Sequence, residues 1–406
     1  MSAPAAPGDV ALGASPSARR PGDATGSAAR LALLIPGGVA LLLGLDAALL
    51  LLGLPAPVTL DRLPDVHGPL MVFGFIGTLI SLERAVAMRR WWGYLSPALL
   101  GLGGILMITS LPPAIAQSLV VAGFGVQCLL YVAIWRRQAA AAIAIQSLGA
   151  VLVLASGILW LGGVPVATLV PSITGYLVLT IVGERVELAR IVRLSRRALL
   201  LVQSASLGVT MGVLASLLWP EFGHPLLGVS LLGVIVWLLR YDVATRLVRA
   251  RGLPRYIAIC LLAGYVWLAV ASVAWVFAGA TLEGAAYDAV LHAVFLGFTM
   301  SMIMAHAPVI LPAVLRRPLP YRPMLYIPVA LLHVSLVARI GFGDGLGAHQ
   351  LVTWGGATNV AAVLLFVVLA AASAIMGPPK RTAKNAAQNA AQNSGQSRAQ
   401  KQEVAG

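Results

Sequence analysis

Charge is the scarcest property of this chain. Asp, Glu, Lys and Arg make up 10% of its 406 residues, and hydrophobic residues make up 59%. A soluble domain carries about a quarter charged residues. That balance excludes a water-soluble globule and a disordered chain alike. Cysteine is almost missing. Cys128 and Cys260 cannot build a disulfide framework, and each lies within an apolar run, where it reads as a small buried hydrophobe. The sequence also lacks a P-loop, a dinucleotide glycine fingerprint, a Cys-x-x-Cys zinc pair and a serine–histidine arrangement. Pumps driven by nucleotide hydrolysis and hydrolases of the soluble type are disfavoured accordingly.

What the chain does have is long apolar runs. A helix needs about 20 apolar residues to cross the hydrocarbon core. Twelve runs qualify or come close: 31–54, 66–88, 95–111, 114–135, 139–160, 164–183, 198–219, 225–245, 256–279, 287–310, 324–341 and 352–376. Most breaks carry turn punctuation, such as Pro55 with Pro57, Pro112-Pro113, Gly162-Gly163 and Pro318 with Pro320. The run 95–111 is short and meets its successor across two prolines, which predicts a tight helical hairpin. Residues 1–30, rich in Ala, Pro, Gly and Ser, read as a disordered cytoplasmic arm. Residues 377–406, a low-complexity stretch of Ala, Asn, Gln and Lys, read as a disordered cytoplasmic tail. Between them, 31–376 forms one twelve-helix transmembrane domain. Its first run starts too far in, and is too long, for an ordinary cleaved signal peptide.

The basic residues orient the spans. With the N-terminus in the cytoplasm and strict alternation, 26 of the 28 Lys and Arg fall in cytoplasmic segments, and only Arg62 and Arg339 fall outside. The net charge of +14 is therefore an orientation signal and an attraction to anionic lipid, with no nucleic-acid partner implied. The expected architecture is all-α and polytopic, with twelve transmembrane helices and both termini cytoplasmic, in the inner (plasma) membrane.

Given that topology, each histidine acquires a depth. His67 opens the second span at its outer end, and His292 lies near the outer end of the tenth. His224 and His349 fall in outer loops, and His333 is at mid-depth or slightly outward on the eleventh span. His306 lies 14 residues after His292, about 21 Å deeper. Ionisable groups inside a membrane are functional candidates, and imidazole is the usual ligand of haem iron and suits copper. A haem or metal site in the outer half is one reading; interfacial histidines satisfied by water is the other. Below His67 run Met71, Gly74, Thr78 and Ser81, mostly small residues that leave room for a flat macrocycle or for a close helix. On an ideal helix His292 and His306 return to within about 40° of one another and face one part of the bundle. Asp46, deep in the first run, reads either as a proton relay or as a neutral hydrogen-bonded group. Glu83-Arg84 and Glu184-Arg185 read as local pairs at the cytoplasmic face.

Three stretches carry a resemblance. His67-Gly-Pro-Leu-Met-Val-Phe-Gly-Phe-Ile-Gly resembles the first histidine motif of the NnrS proteins. His292-Ala-Val-Phe-Leu-Gly-Phe-Thr-Met-Ser-Met-Ile is similar to their later His-Ala-x-x-x-Gly motif, and Ile181-Val-Gly-Glu-Arg-Val to their central Gly-Gly-Arg-Val. Order and layout match over most of residues 31–376. The resemblance implies a membrane protein that holds haem and copper and is connected with nitric oxide metabolism or stress, distantly like subunit I of haem-copper oxidases. After Arg185 the chain reads Val-Glu-Leu-Ala-Arg, unlike the family, and the adjacent His-His pair and His-x-x-x-Tyr pattern of the oxidases are absent. A divergent branch without terminal oxidase activity is implied.

The expected ligands are His67 and His292, then His333 and His306, then His349, with the second, tenth and eleventh spans converging. Arg62 and Arg339, the two outward basic residues, are candidates to anchor haem propionates through bidentate guanidinium bonds. The alternative for both is pairing with the nearby acids Asp61, Asp65 and Asp344. Two other functions fit the pattern: a cofactor-free secondary transporter, and a copper-handling protein that passes the metal on through His and Met.

Overall fold

The computed structural model describes residues 22–189, 194–316 and 318–377, and all regular structure among them is helical. Twelve helices of more than ten residues follow one another: α1 (Gly22–Leu51), α2 (Leu63–Met88), α3 (Leu95–Leu106), α4 (Pro113–Arg137), α5 (Ala141–Leu161), α6 (Val166–Ala189), α7 (Arg196–Leu218), α8 (Pro220–Tyr241), α9 (Leu253–Ala278), α10 (Gly284–Val314), α11 (Pro323–Asp344) and α12 (His349–Met376). Eleven of them, all but α3, are long and apolar enough to cross a membrane. At a rise of about 1.5 Å per residue α3 reaches only about 18 Å. The 3-10 turn Trp91–Tyr94 leads directly into it.

The punctuation in the sequence works largely as anticipated. Proline opens α4, α8 and α9, where a missing N–H costs nothing. Gly163 takes φ +91° after α5, which a side chain would resist. The boundaries nevertheless move: α3 stops at Leu106, five residues short of the expected 111, and α6 runs six past 183 to Ala189. The arm expected to be irregular through residue 30 is helical from Gly22 onward, and the rest of it lies outside the described residues, as does the tail beyond Gly377. The outer loop expected to hold His224 is a single residue, Trp219, because α8 starts at Pro220. His224 is therefore buried in the first turn of α8, its Nδ1 donating to Pro220 O and its ring edge-on to Trp275.

Long-range bonds fix which helix ends lie together. Arg62, just before α2, donates to the carbonyls of Thr109 and Leu111 beyond α3. Arg137, at the end of α4, donates to Met88 O at the end of α2. Arg30 reaches Val314 O, and Arg322 reaches Gly377 O and Ser373 Oγ. One end of the bundle thus carries Met88, Arg137, Glu184 and Arg185; we call it the arginine-rich end. The opposite end carries His67.

Small residues bring the first three helices close. Gly74 and Gly104 face each other so tightly that a Cβ on Gly104 would lie 2.8 Å from Gly74 Cα, and one on Gly101 2.8 Å from Pro36 Cβ. The small stripe below His67 is therefore spent, at Gly74 and Thr78, on close helix packing. A second local feature sets three helices apart. Leu70–Gly77 in α2, Ala293–Met300 in α10 and Val337–Asp344 in α11 are π-helical, and each octet carries Gly-Phe at its fifth and sixth positions. π turns are rare and concentrate at functional sites.

Candidate functional site

The three π-helical octets meet around one cavity of about 460 Å3, with walls completed by α1, α6 and α12. Its lining is mainly apolar, including Leu45, Val72, Phe73, Ile173 and Phe295. The polar groups among the lining are few: His67, Tyr287, Asp288, His292, Arg339 and Asn359. A mostly apolar hollow with a few convergent polar groups is the usual form of a ligand site.

His67 and His292 are held in the same way. His67 Nδ1 lies 2.9 Å from Gly44 O, and His292 Nδ1 lies 2.8 Å from Asp288 O. A carbonyl only accepts, so each Nδ1 donates, and the tautomer leaves a lone pair on Nε2. Metal-binding imidazoles are oriented by this kind of bond. The two rings and Arg339 stand within electrostatic reach of one another. Gly44 is essential to the first ring's support in a second way. A Cβ there would fall 2.5 Å from Met71 Sδ, so the methionine lies flat across the bare backbone. Met71 and Met300 line the cavity, whereas Met302 and Met304 are buried in the core.

Arg339 enters this space as part of an ion pair. Its Nε and Nη2 donate to Asp288 Oδ2 and Oδ1, each at 3.0 Å. Asp288 Oδ1 also lies 3.2 Å from His292 Nδ1. The base of the side chain is seated against Gly355 and its guanidinium against Gly356; a Cβ on Gly356 would come within 2.5 Å of Arg339 Nη1. Asp288 thus replaces Asp344 as the direct partner anticipated for Arg339. It was missed in the sequence, although it stands four residues before His292 on the same helical face. Asn359 was missed as well, and nothing in its sequence surroundings marks it. It accepts from Ser335 Oγ, and its Nδ2 is buried without a partner.

The remaining candidates lie elsewhere. His333 accepts at Nδ1 from Trp267 Nε1 at 2.9 Å, outside the cavity lining, so α11 contributes Arg339 to the site and not its histidine. His306 is at the arginine-rich end, where Nδ1 donates to Met302 O at 2.7 Å and Nε2 accepts from Arg185 Nη2 at 2.6 Å. It is outside the cavity lining that holds His292, lying toward the other end of α10 against Arg185 of α6. His349 is exposed at the first residue of α12. Arg62 is occupied by the α3–α4 connection and is not part of the cavity lining. Asp46 accepts a hydrogen bond from the backbone of Val58, beyond the end of its helix. Arg84 bridges Glu83 and Glu184, so the two Glu-Arg pairs are joined across α2 and α6 rather than only locally.

The profile of one protein family, described as a domain of unknown function (DUF8744), matches residues 30–375. No curated protein matches the chain, and no solved structure does.

Proposed function

The chain belongs to the DUF8744 family, whose description names no activity, and from the site we propose that it is an NnrS-like membrane protein binding haem, copper or both between α2 and α10. The observation that carries this reading is the matched pair of imidazoles. Two histidines from helices far apart in sequence face one apolar cavity, each with Nδ1 tied to a main-chain carbonyl and Nε2 left to coordinate. The residues present fit such a group: neutral nitrogen donors, apolar walls, and one arginine at the edge whose Nη1 is not engaged by Asp288. An iron or copper centre held there would supply a position for nitric oxide or a related small molecule. His67 and His292 are the ligands in this reading, and Arg339 is the propionate anchor. Arg62 has no such role.

The same reading takes α3 as a twelfth crossing and places the arginine-rich end in the cytoplasm of a bacterial inner membrane. The bond from Arg62 to the far end of α3 supports the crossing, since α3 and its leading turn then run from one end of the bundle to the other. The copper-handling alternative gains support from Met71, a soft ligand beside His67 in the same lining.

A visible spectrum and metal analysis of the purified full-length protein test the proposal. A Soret band, or stoichiometric copper, lost in both His67→Ala and His292→Ala is the expected result. Protein with neither chromophore nor metal, after expression with haem precursor and copper supplied, overturns it.

A further inference from the structure

The site leaves unused a second polar region, buried between the cavity and the arginine-rich end. On α6, Ser172, Tyr176, Thr180 and Glu184 recur every four residues and form a stripe along one side of the helix. On α4, Gln127 and Tyr131 repeat the same spacing, and α5 adds Gln146. Gln127, Gln146 and Tyr176 are 0% exposed, and Tyr131 and Thr180 are 1% exposed. The helices touch here through these groups. Gln127 Nε2 donates to Tyr176 Oη at 3.2 Å. Gln146 lies across the bare backbone of Gly183, next to Glu184; a Cβ on that glycine would meet Gln146 Cγ at 2.3 Å. Tyr131 stands within electrostatic reach of Arg84, Glu184 and Glu83.

Five polar atoms in this seam have no protein partner: Gln127 Oε1, Tyr131 Oη, both terminal atoms of Gln146 and Thr180 Oγ1. Buried polar groups are nearly always satisfied, and where protein does not satisfy them ordered water does, each molecule making about three hydrogen bonds. One such atom is a local imperfection. Five in sequence, between two glutamates and a cavity, outline a column. The column runs about 12 Å along α6 from Glu184 to Tyr176. One turn further is Ile173, in the cavity lining. There the aromatic contacts Phe73–Phe124 at 5.7 Å and Phe124–Tyr176 at 5.8 Å form an apolar septum.

We propose that the interface of α2, α4, α5 and α6 is a water-lined proton route, leading from the Glu83–Arg84–Glu184 cluster to the floor of the cavity. Alternating donors and acceptors suit a proton better than a metal cation, since the seam holds hydroxyls and amides but no carboxylate beyond its mouth. A proton enters on a carboxylate oxygen of Glu184 or Glu83. Each water or hydroxyl then accepts one proton on a lone pair and releases another. One proton has moved and no covalent bond of the protein has changed. The route does not depend on which group occupies the cavity.

Radiolytic hydroxyl-radical labelling of the full-length protein in liposomes reads hydration directly, because radicals form from water beside the side chain. Tyr265 is the internal control: it is equally buried but fully partnered by Asp242. Tyr131 and Tyr176 should label several-fold faster than Tyr265, and Gln127→Leu or Gln146→Leu should reduce the labelling of Tyr131 toward the Tyr265 level. Tyr131 and Tyr176 labelling no faster than Tyr265 would show a dry seam and overturn the proposal; this comparison needs only the unaltered protein. Conduction is read in vesicles with a trapped pH dye and a valinomycin potential. Wild-type protein should pass protons faster than empty vesicles, and Tyr131→Phe should slow it. A wild type no faster than empty vesicles removes the proton role.

Discussion

Replacing Asp288 by Asn tests whether the ion pair at the cavity edge organises the site. The substitution keeps the shape and removes the charge facing Arg339. The arginine side chain is 10% exposed and its aspartate partner 30%, so the two halves of the pair are unequal. Removing the carboxylate strands a largely buried guanidinium held between Asp288 and the backbone of Gly356. Stranding a buried charge costs about 3–5 kcal/mol, and the small residual exposure argues for the lower end. Removing the arginine instead, as Arg339→Met, leaves a carboxylate that is about one-third exposed and screened by solvent, so about 1 kcal/mol is expected. The double variant has no charge to strand. Its cost should fall below the sum of the singles by about 2 kcal/mol, the coupling expected of contacting residues. The assay is reversible unfolding in mixed micelles at fixed detergent composition, followed by tryptophan fluorescence. Single costs that simply add, within about 0.5 kcal/mol, would show that the 3.0 Å bonds do not organise this region.

Other outcomes follow from the same geometry. His306→Gln should leave any cofactor content unchanged, since its bonds go to Arg185 and Met302 and not to the cavity; loss of the cofactor would relocate the site. Gly104→Leu should destabilise by about 1–3 kcal/mol by overpacking, because even a Cβ there meets Gly74 at 2.8 Å; an unchanged unfolding midpoint refutes the close approach. Reporter fusions at Arg251 and Glu221 should report opposite sides of the membrane, with Arg251 cytoplasmic; matching signals at the two sites would break the topology.

The helical architecture was legible because hydrocarbon imposes a length on each apolar run that the sequence must obey. Apolar runs and Pro or Gly breaks locate every helix, with ends off by five or more residues at Gly22, Leu106, Ala189 and Pro220. The site was legible only where depth alone decides. His67, His292 and Arg339 were selected by depth and do line one cavity. Azimuth was not recoverable, because ideal α geometry was assumed through octets that are π-helical. The Gly-Phe repeat was visible in α2 and α10 but carried no known conformation, and its third copy, Gly341-Phe342, lies beside an arginine rather than a histidine. Asp288 was readable from its spacing to His292 once one looked for a partner on the same helix. Asn359 and Trp267 were not, since their contacts join helices whose relative rotation the sequence does not state.

The cavity also has a schedule. Its walls include Leu45 from the first helix and Val360 from the last, and α1 packs against both α10 and α12. A ribosome adding about 5–20 residues per second needs roughly 15–60 s to make the chain between those two residues. For most of that interval His67 has been made and faces an opening that later helices will close. Anything that binds there during synthesis meets a half-built groove. Synthesis of this protein therefore ends with a wall of the cavity, and a ribosome stalled before α12 yields a chain whose cavity is still open on one side.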